Sequence, residues 1–227
     1  MNFASDNAYG ALPQVLEALV RANDGAAKPY GADPLTRSLA ARFAALFERD
    51  VAVYPVVTGT AANALALACL TPPHGAVFCH AQSHIMDSEC GAPEFYSHGA
   101  KLIGIAGADG KLSLAAITAA IDAVPRGFVH TSQPFAVSLS QPTEMGTVYS
   151  LAEIRDIAEA CHARGLKLHL DGARFACALD ALQATPAQAT WQCGVDVLSF
   201  GASKGGTVAA EAVVFFDPAD ARDFEYR

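Results

Sequence analysis

Lys204 lies in the stretch Ser199-Phe200-Gly201-Ala202-Ser203-Lys204-Gly205-Gly206, directly after the apolar run Val195-Asp196-Val197-Leu198. A strand that ends in a loop of Gly, Ala and Ser leaves room for a large planar group beside a lysine amine. Upstream, Leu168-His169-Leu170-Asp171-Gly172-Ala173-Arg174 ends a second apolar strand in a carboxylate. A lysine able to form a Schiff base, with an aspartate able to hold a pyridinium nitrogen, is the minimal equipment for pyridoxal phosphate chemistry. Many α/β domains carry Asp and Lys at strand ends, so the pair has meaning only with the rest of the chain.

Two further stretches carry chemical groups. In Val57-Thr58-Gly59-Thr60-Ala61-Ala62-Asn63 a strand passes into a helix. Gly59 lets the backbone approach a ligand, the free N–H groups of a helix start favour an anion, and Thr60 adds a hydroxyl. The stretch is neither a nucleotide P-loop nor a dinucleotide fingerprint. An ordinary strand–helix turn capped by threonine would look the same. His84-Ile85-Met86-Asp87-Ser88-Glu89 follows the strand at Val77 to Cys79, which puts His84 near the carboxyl edge of a sheet. There an imidazole can stack on an aromatic group or move protons. Glu89 either braces that loop or acts with the histidine. His169, inside a strand, reads as structural.

The elements that must position these groups alternate between strand-like and helical patterns. Pro13 to Val20 reads as a helix opened by proline. Asp33-Pro34 opens another, with Leu35, Leu39, Phe43, Leu46 and Phe47 on one face. Strands are expected at Val51 to Val57, Val77 to Cys79, Leu102 to Ile105 and Phe128 to His130, with a helix at Ala61 to Leu70. Ser113 caps a helix through Leu114, Ile117 and Ile121. Ser150 and Glu153 form a capping box for one ending near Gly165. The rhythm predicts a mainly parallel sheet of seven strands sandwiched by helices. Too few residues separate Phe200 from the run Ala210 to Phe216 for a crossover helix, so that last strand is expected to be antiparallel.

Hydrophobic residues make up 52% of the 227 positions and charged residues 17%, which suits a sheet buried on both faces and a surface covered by a partner. The net charge of −8 argues against non-specific nucleic-acid binding, which needs a basic stripe. The six cysteines show no close pair and no metal-ligand spacing, so no metal is expected, and they read as buried free thiols. Met1 to Asp6 has no signal-peptide pattern, and no apolar run approaches the roughly 20 residues of a membrane span. A soluble, cytoplasmic protein without a membrane partner is the expectation.

Taken in order, Ser5-Asp6-Asn7, Tyr30-Gly31-Ala32-Asp33-Pro34, Thr58-Gly59-Thr60, His84 with Glu89, Asp171-Gly172-Ala173-Arg174 and Ser203-Lys204 resemble the low-specificity L-threonine aldolases. These are pyridoxal phosphate enzymes of the aspartate aminotransferase fold (fold type I). The resemblance runs from about residue 3 to residue 216. It implies that Lys204 is the Schiff-base lysine and that Asp171 pairs with the ring nitrogen. Gly59, Thr60 and Ser203 would hold the phosphate, and His84 would stack on the ring and assist proton transfer. Ser5 and Arg174 would contact the substrate carboxylate or the cofactor's hydroxyl side, although Arg174 could instead be a structural partner of Asp171. Tyr30 is similar to a residue lent across a subunit interface, and a homo-oligomer, a dimer of dimers at full length, is implied.

Two departures from the family pattern matter. In Gln141-Pro142-Thr143-Glu144-Met145-Gly146, Glu144 stands where many members carry a second histidine. The base for the substrate's β-hydroxyl is then Glu144, a water or His84. The second concerns length. Residues 1–14 are expected to contribute to the site, 15–217 to form the cofactor-binding domain and 218–227 to begin a connection to a small C-terminal domain absent from this chain. The activity implied is cleavage of L-threonine or L-allo-threonine to glycine and an aldehyde. The alternatives are β-elimination, serine hydroxymethyl transfer, or an inactive truncated domain.

Overall fold

The computed structural model describes residues 5–227. Its first helix, α1 (Pro13–Ala22), starts at a proline whose missing N–H costs nothing there. In α2 (Pro34–Phe47) the Asp33 carboxylate accepts the Thr36 N–H at 2.9 Å. Strand β1 (Ala52–Val56) leads into α3 (Gly59–Leu70), whose cap is the Thr58 hydroxyl, 3.0 Å from the Ala61 nitrogen. After β2 (Gly75–His80) come two short helices, α4 (His84–Asp87) and α5 (Ala92–Tyr96), then β3 (Lys101–Ile105). Ser113 caps α6 (Leu114–Asp122), β4 spans Gln133–Ser140, and both halves of the Ser150–Glu153 capping box open α7 (Leu151–His162). The chain continues through β5 (Lys167–Gly172), α8 (Phe175–Leu182), β6 (Val197–Gly201) and β7 (Glu211–Phe215).

The seven strands form one sheet in the order β1-β7-β6-β5-β4-β2-β3. β7 runs antiparallel to both β1 and β6, and the remaining neighbours are parallel, as the short connection before β7 requires. β3 and β4 lie on opposite sides of β2, so the direction of winding reverses there. Such a switch point opens a crevice at the carboxyl ends of the strands.

One sheet face is covered by α3. Its alternating alanines bring it close to the strands, where Ala62, Ala66 and Leu67 pack with Val77, Ala136, Val213 and Phe215. The other face packs Phe47, Ile117, Ile154 and Phe175 against Phe78, Val137, Leu168 and Leu198. Among the described residues no helix is long and apolar enough to cross a membrane.

Two expectations fail. Phe128 to His130 is a turn rather than a strand, with Val129 90% exposed. The Gln133 side chain closes this loop through the Gly127 N–H and the Thr131 carbonyl, each at 2.9 Å, and the strand begins only at Gln133. The cysteines are all free, but only Cys79, Cys161 and Cys193 are buried. Cys69 is half-buried, and Cys90 and Cys177 are exposed on a loop and on the outer side of α8.

The ends of β5 and β6 approach unusually closely. A Cβ on Gly201 would stand 2.6 Å from the Cα and carbonyl oxygen of Ala173, and one on Gly172 would stand 2.9 Å from the Ser199 oxygen. Backbone cannot yield as a side chain can. Gly201→Ala is therefore expected to cost about 1–3 kcal/mol by overpacking. A denaturation midpoint equal to wild type would refute that.

Candidate active site

At the carboxyl edge of the sheet lies a cavity of about 330 Å³, walled by the starts of α3 and α4, the β4–α7 loop, the end of β5 and the Lys204 loop. Side-chain alternation explains what reaches it. On the α3 side, Ser138, His169 and Ser199 form a row across β4, β5 and β6, with His169 Nδ1 2.8 Å from Ser138 Oγ and Nε2 2.9 Å from Ser199 Oγ. Burial pushes the His169 imidazole down to about 3, so it is neutral and structural. Two residues further along the strands the same face presents Ser140 and Asp171 at the cavity floor.

Asp171 is buried. Its Oδ1 accepts the Ala173 N–H at 3.0 Å and its Oδ2 accepts Asn63 Nδ2 at 2.8 Å. The same Asn63 nitrogen donates to Glu89 Oε1, also at 2.8 Å, and that oxygen meets His84 Nδ1 at 2.8 Å. Glu89 thus braces and pairs with His84. Burial pushes the Glu89 carboxyl up, and the bonds from His84 and Asn63 act against it. The bond to Glu89 raises the His84 pKa above its usual value, with burial opposing. A carboxylate accepts here, so Nδ1 carries the proton and Nε2 is left to the cavity.

Glu144 is exposed at the cavity wall, and its Oε1 accepts both the His84 N–H and the Ser140 hydroxyl, each at 2.7 Å. Gly59 and Thr60 stand in the first turn of α3, where, among the described residues, their N–H groups have no partner; a Cβ on Gly59 would meet nothing within 4 Å. Lys204 occupies a short 3₁₀ turn, half-buried, and makes no ion pair or side-chain hydrogen bond among the described residues. Ser203 lines the same wall. Its N–H donates to Glu211 Oε1 at 3.3 Å, and its hydroxyl oxygen accepts the Ala210 N–H at 3.1 Å.

Arg174 lines the cavity but pairs with Asp6, not with Asp171. That contact holds the Asp6 carboxyl below its usual range. Ser5 caps the Asp6–Ala8 turn, accepting the Asn7 N–H at 3.2 Å, and does not line the cavity, whereas Asn7 does. Tyr30 is fully exposed, with φ +59°, and does not line the cavity of its own chain. Asn63, Ser140, Asn7 and Glu211 went unnoticed as site residues in the sequence. A lone amide in the alanine-rich stretch Ala61 to Leu65 was the available signal for Asn63, and a carboxylate opening an apolar strand was the signal for Glu211. Burial raises the Glu211 carboxyl, and its bonds to Ser203 and the nearby Lys204 act against that. No group of three His, Cys, Asp or Glu among the described residues could hold a metal.

A seven-stranded, helix-covered sheet with a lysine loop and an aspartate at its carboxyl edge is the large domain of fold type I pyridoxal phosphate enzymes. Residues 2–225 match the beta-eliminating lyase family, and the chain belongs to it. Over 225 residues it is 43% identical to a low specificity L-threonine aldolase from a Pseudomonas species and 44% identical to one from Pseudomonas aeruginosa. Each alignment covers 99% of this chain, which spans 64% of the length of those relatives. A threonine aldolase structure from Leishmania major superposes with a TM-score of 0.91 at 32% identity, covering 99% of this chain and 65% of that one.

The His84 geometry sets a pH dependence. Its folded pKa lies above the ordinary 6.5, so its stabilising contribution is complete below that value and is lost as pH rises through the folded pKa. The stability difference between wild type and His84→Asn should therefore shrink as pH is raised from 6 to 9. A gap that widens over that range, in thermal melts, would contradict the assignment.

Proposed function

We propose that the cavity binds pyridoxal 5'-phosphate and that the protein cleaves L-threonine, L-allo-threonine and related β-hydroxy-α-amino acids to glycine and an aldehyde. The observation that carries this reading is a lysine amine, without a partner among the described residues, that shares one cavity with a buried aspartate and with the open N-terminus of α3. The residues fit the cofactor. Open space above Gly59, the N–H groups of Gly59 and Thr60, which have no partner among the described residues, and the Thr60 and Ser203 hydroxyls suit a phosphate. Asp171, already fixed by Ala173 and Asn63, suits a protonated ring nitrogen. When bound, pyridoxal phosphate supplies an electron sink for the substrate's Cα, and this dependence is common to the family.

The chain's own groups then have separate tasks. Lys204 offers the amine, and His84, whose Nδ1 is held by Glu89, would stack on the ring and assist proton transfer. Arg174, held by Asp6, meets the substrate carboxylate or the cofactor's hydroxyl side. Glu144 takes the β-hydroxyl proton at Oε2, the oxygen left over when Oε1 is occupied by the His84 N–H and the Ser140 hydroxyl. Residues 15–217 would form the cofactor-binding unit, with residues 5–14 reaching its mouth. Tyr30 and the exposed apolar face of α1, formed by Leu16, Leu19 and Val20, support a homo-oligomer in which Tyr30 serves a neighbouring copy.

The family's name favours β-elimination as a second reading. Acetaldehyde from threonine distinguishes the first from pyruvate and ammonia formed from serine. Reduction of the cofactor-loaded protein with borohydride, followed by peptide mapping, is expected to place the pyridoxyl group on Lys204, and a label on any other lysine would overturn the assignment. Glu144→Gln is expected to lower aldol cleavage by about 10²-fold or more while largely sparing exchange of glycine's α-proton, which needs no hydroxyl deprotonation. Equal loss of both reactions would mean that Glu144 only anchors the start of α4.

A further inference from the structure

The hydrogen-bonded line Asp171–Asn63–Glu89–His84 links the end of β5 through α3 to α4 and the loop that follows it. Asn63 is 2% exposed and Glu89 is 4% exposed. One amide nitrogen donates to both carboxylates at 2.8 Å. Neither Asn63 Oδ1 nor Glu89 Oε2 has a partner among the described residues. We propose that Asn63 is a positioning residue for His84: its amide bridges two carboxylates that would otherwise repel, and so keeps Glu89 available to hold the imidazole with Nε2 toward the cavity.

Two carboxylates sharing a desolvated wall disfavour each other's charge unless donors stand between them. Glu89 faces Asp171, Asn63 and His84. His84 faces Glu89, Asp171 and Lys204, and its backbone N–H is already committed to Glu144. Without the amide, Glu89 gains a proton more readily, and its unpartnered Oε2 is the site at which that proton would sit. A protonated Glu89 is a weaker partner for Nδ1, so His84 loses both its orientation and its hold on a proton. Through the same bridge a cation arriving at Asp171 is felt at the imidazole. Only this last consequence rests on the proposed cofactor.

The test uses the cofactor-free protein, so it is independent of whether Lys204 takes a label or threonine is cleaved. Carbon-detected NMR titrations follow Glu89 Cδ and His84 Cε1 in wild type and in Asn63→Leu. The Glu89 midpoint is expected to rise and the His84 midpoint to fall, each by about one pH unit or more. Adding Asp171→Asn to Asn63→Leu removes the neighbouring charge and should bring the Glu89 midpoint back down. If Asn63→Leu fails to fold, Asn63→Ser, which keeps one donor, should show the same directions at smaller amplitude. Wild-type midpoints in whichever variant folds would reduce Asn63 to a packing residue and overturn the proposal.

Discussion

The contact on which the site depends is the near-touching of the ends of β5 and β6. One strand delivers a carboxylate and the next delivers a lysine. Their spacing is set by two glycines, because no Cβ fits where Gly172 meets Ser199 or where Gly201 meets Ala173. Beneath them the neutral His169 ties β4, β5 and β6 through two serine hydroxyls, which fixes register at the level where chemistry begins. A one-residue slip in a strand would send its side chains to the opposite face, and Asp171 would point away from α3.

The second constraint is electrostatic. The chain carries a net charge of −8, yet the mouth of the cavity presents Lys204, Arg174 and N–H groups of α3 that have no partner among the described residues. Positive potential at the mouth is therefore local, built from a helix terminus and Lys204, with Arg174 paired to Asp6, rather than from the field of the whole molecule. The acidic groups nearby are each engaged: Asp6 by Arg174, Glu144 by the His84 N–H and Ser140, Glu211 by Ser203. Among the described residues the lysine amine has no ion-pair partner.

Much of this was legible in residue order. Apolar runs ending in Asp171 and in the Lys204 loop gave both strands, and Ser150 with Glu153 gave a helix start with both of its reciprocal bonds. The antiparallel last strand followed from a connection too short for a helix. The failures have physical causes. Phe128 and Val129 have strand-forming side chains, but the Gln133 amide outcompetes the ladder by closing a loop around them. Arg174 was open in sequence to a substrate-side role or to pairing with Asp171, and of the pairing the turn after Gly172 leaves nothing, since it swings the guanidinium toward Asp6. Asn63 was hidden because local sequence does not disclose which buried partners a helix face will meet across the sheet.

The first described residues have a consequence for the order in which the molecule is completed. Leu12 donates its N–H to the Gly206 carbonyl at 2.9 Å, its side chain fills the space above Gly206, and Asp6 grips Arg174. These contacts join positions 168 and 194 residues apart in the chain of 227. The entropy of closing so long a loop must be met before they form, and they rank among the most non-local contacts in the topology. During synthesis from the N-terminus, residues 5–12 wait through the emergence of every strand but the last before their partner loop exists. The shape of the lysine turn therefore depends on the docking of residues 5–12 as well as on the sheet.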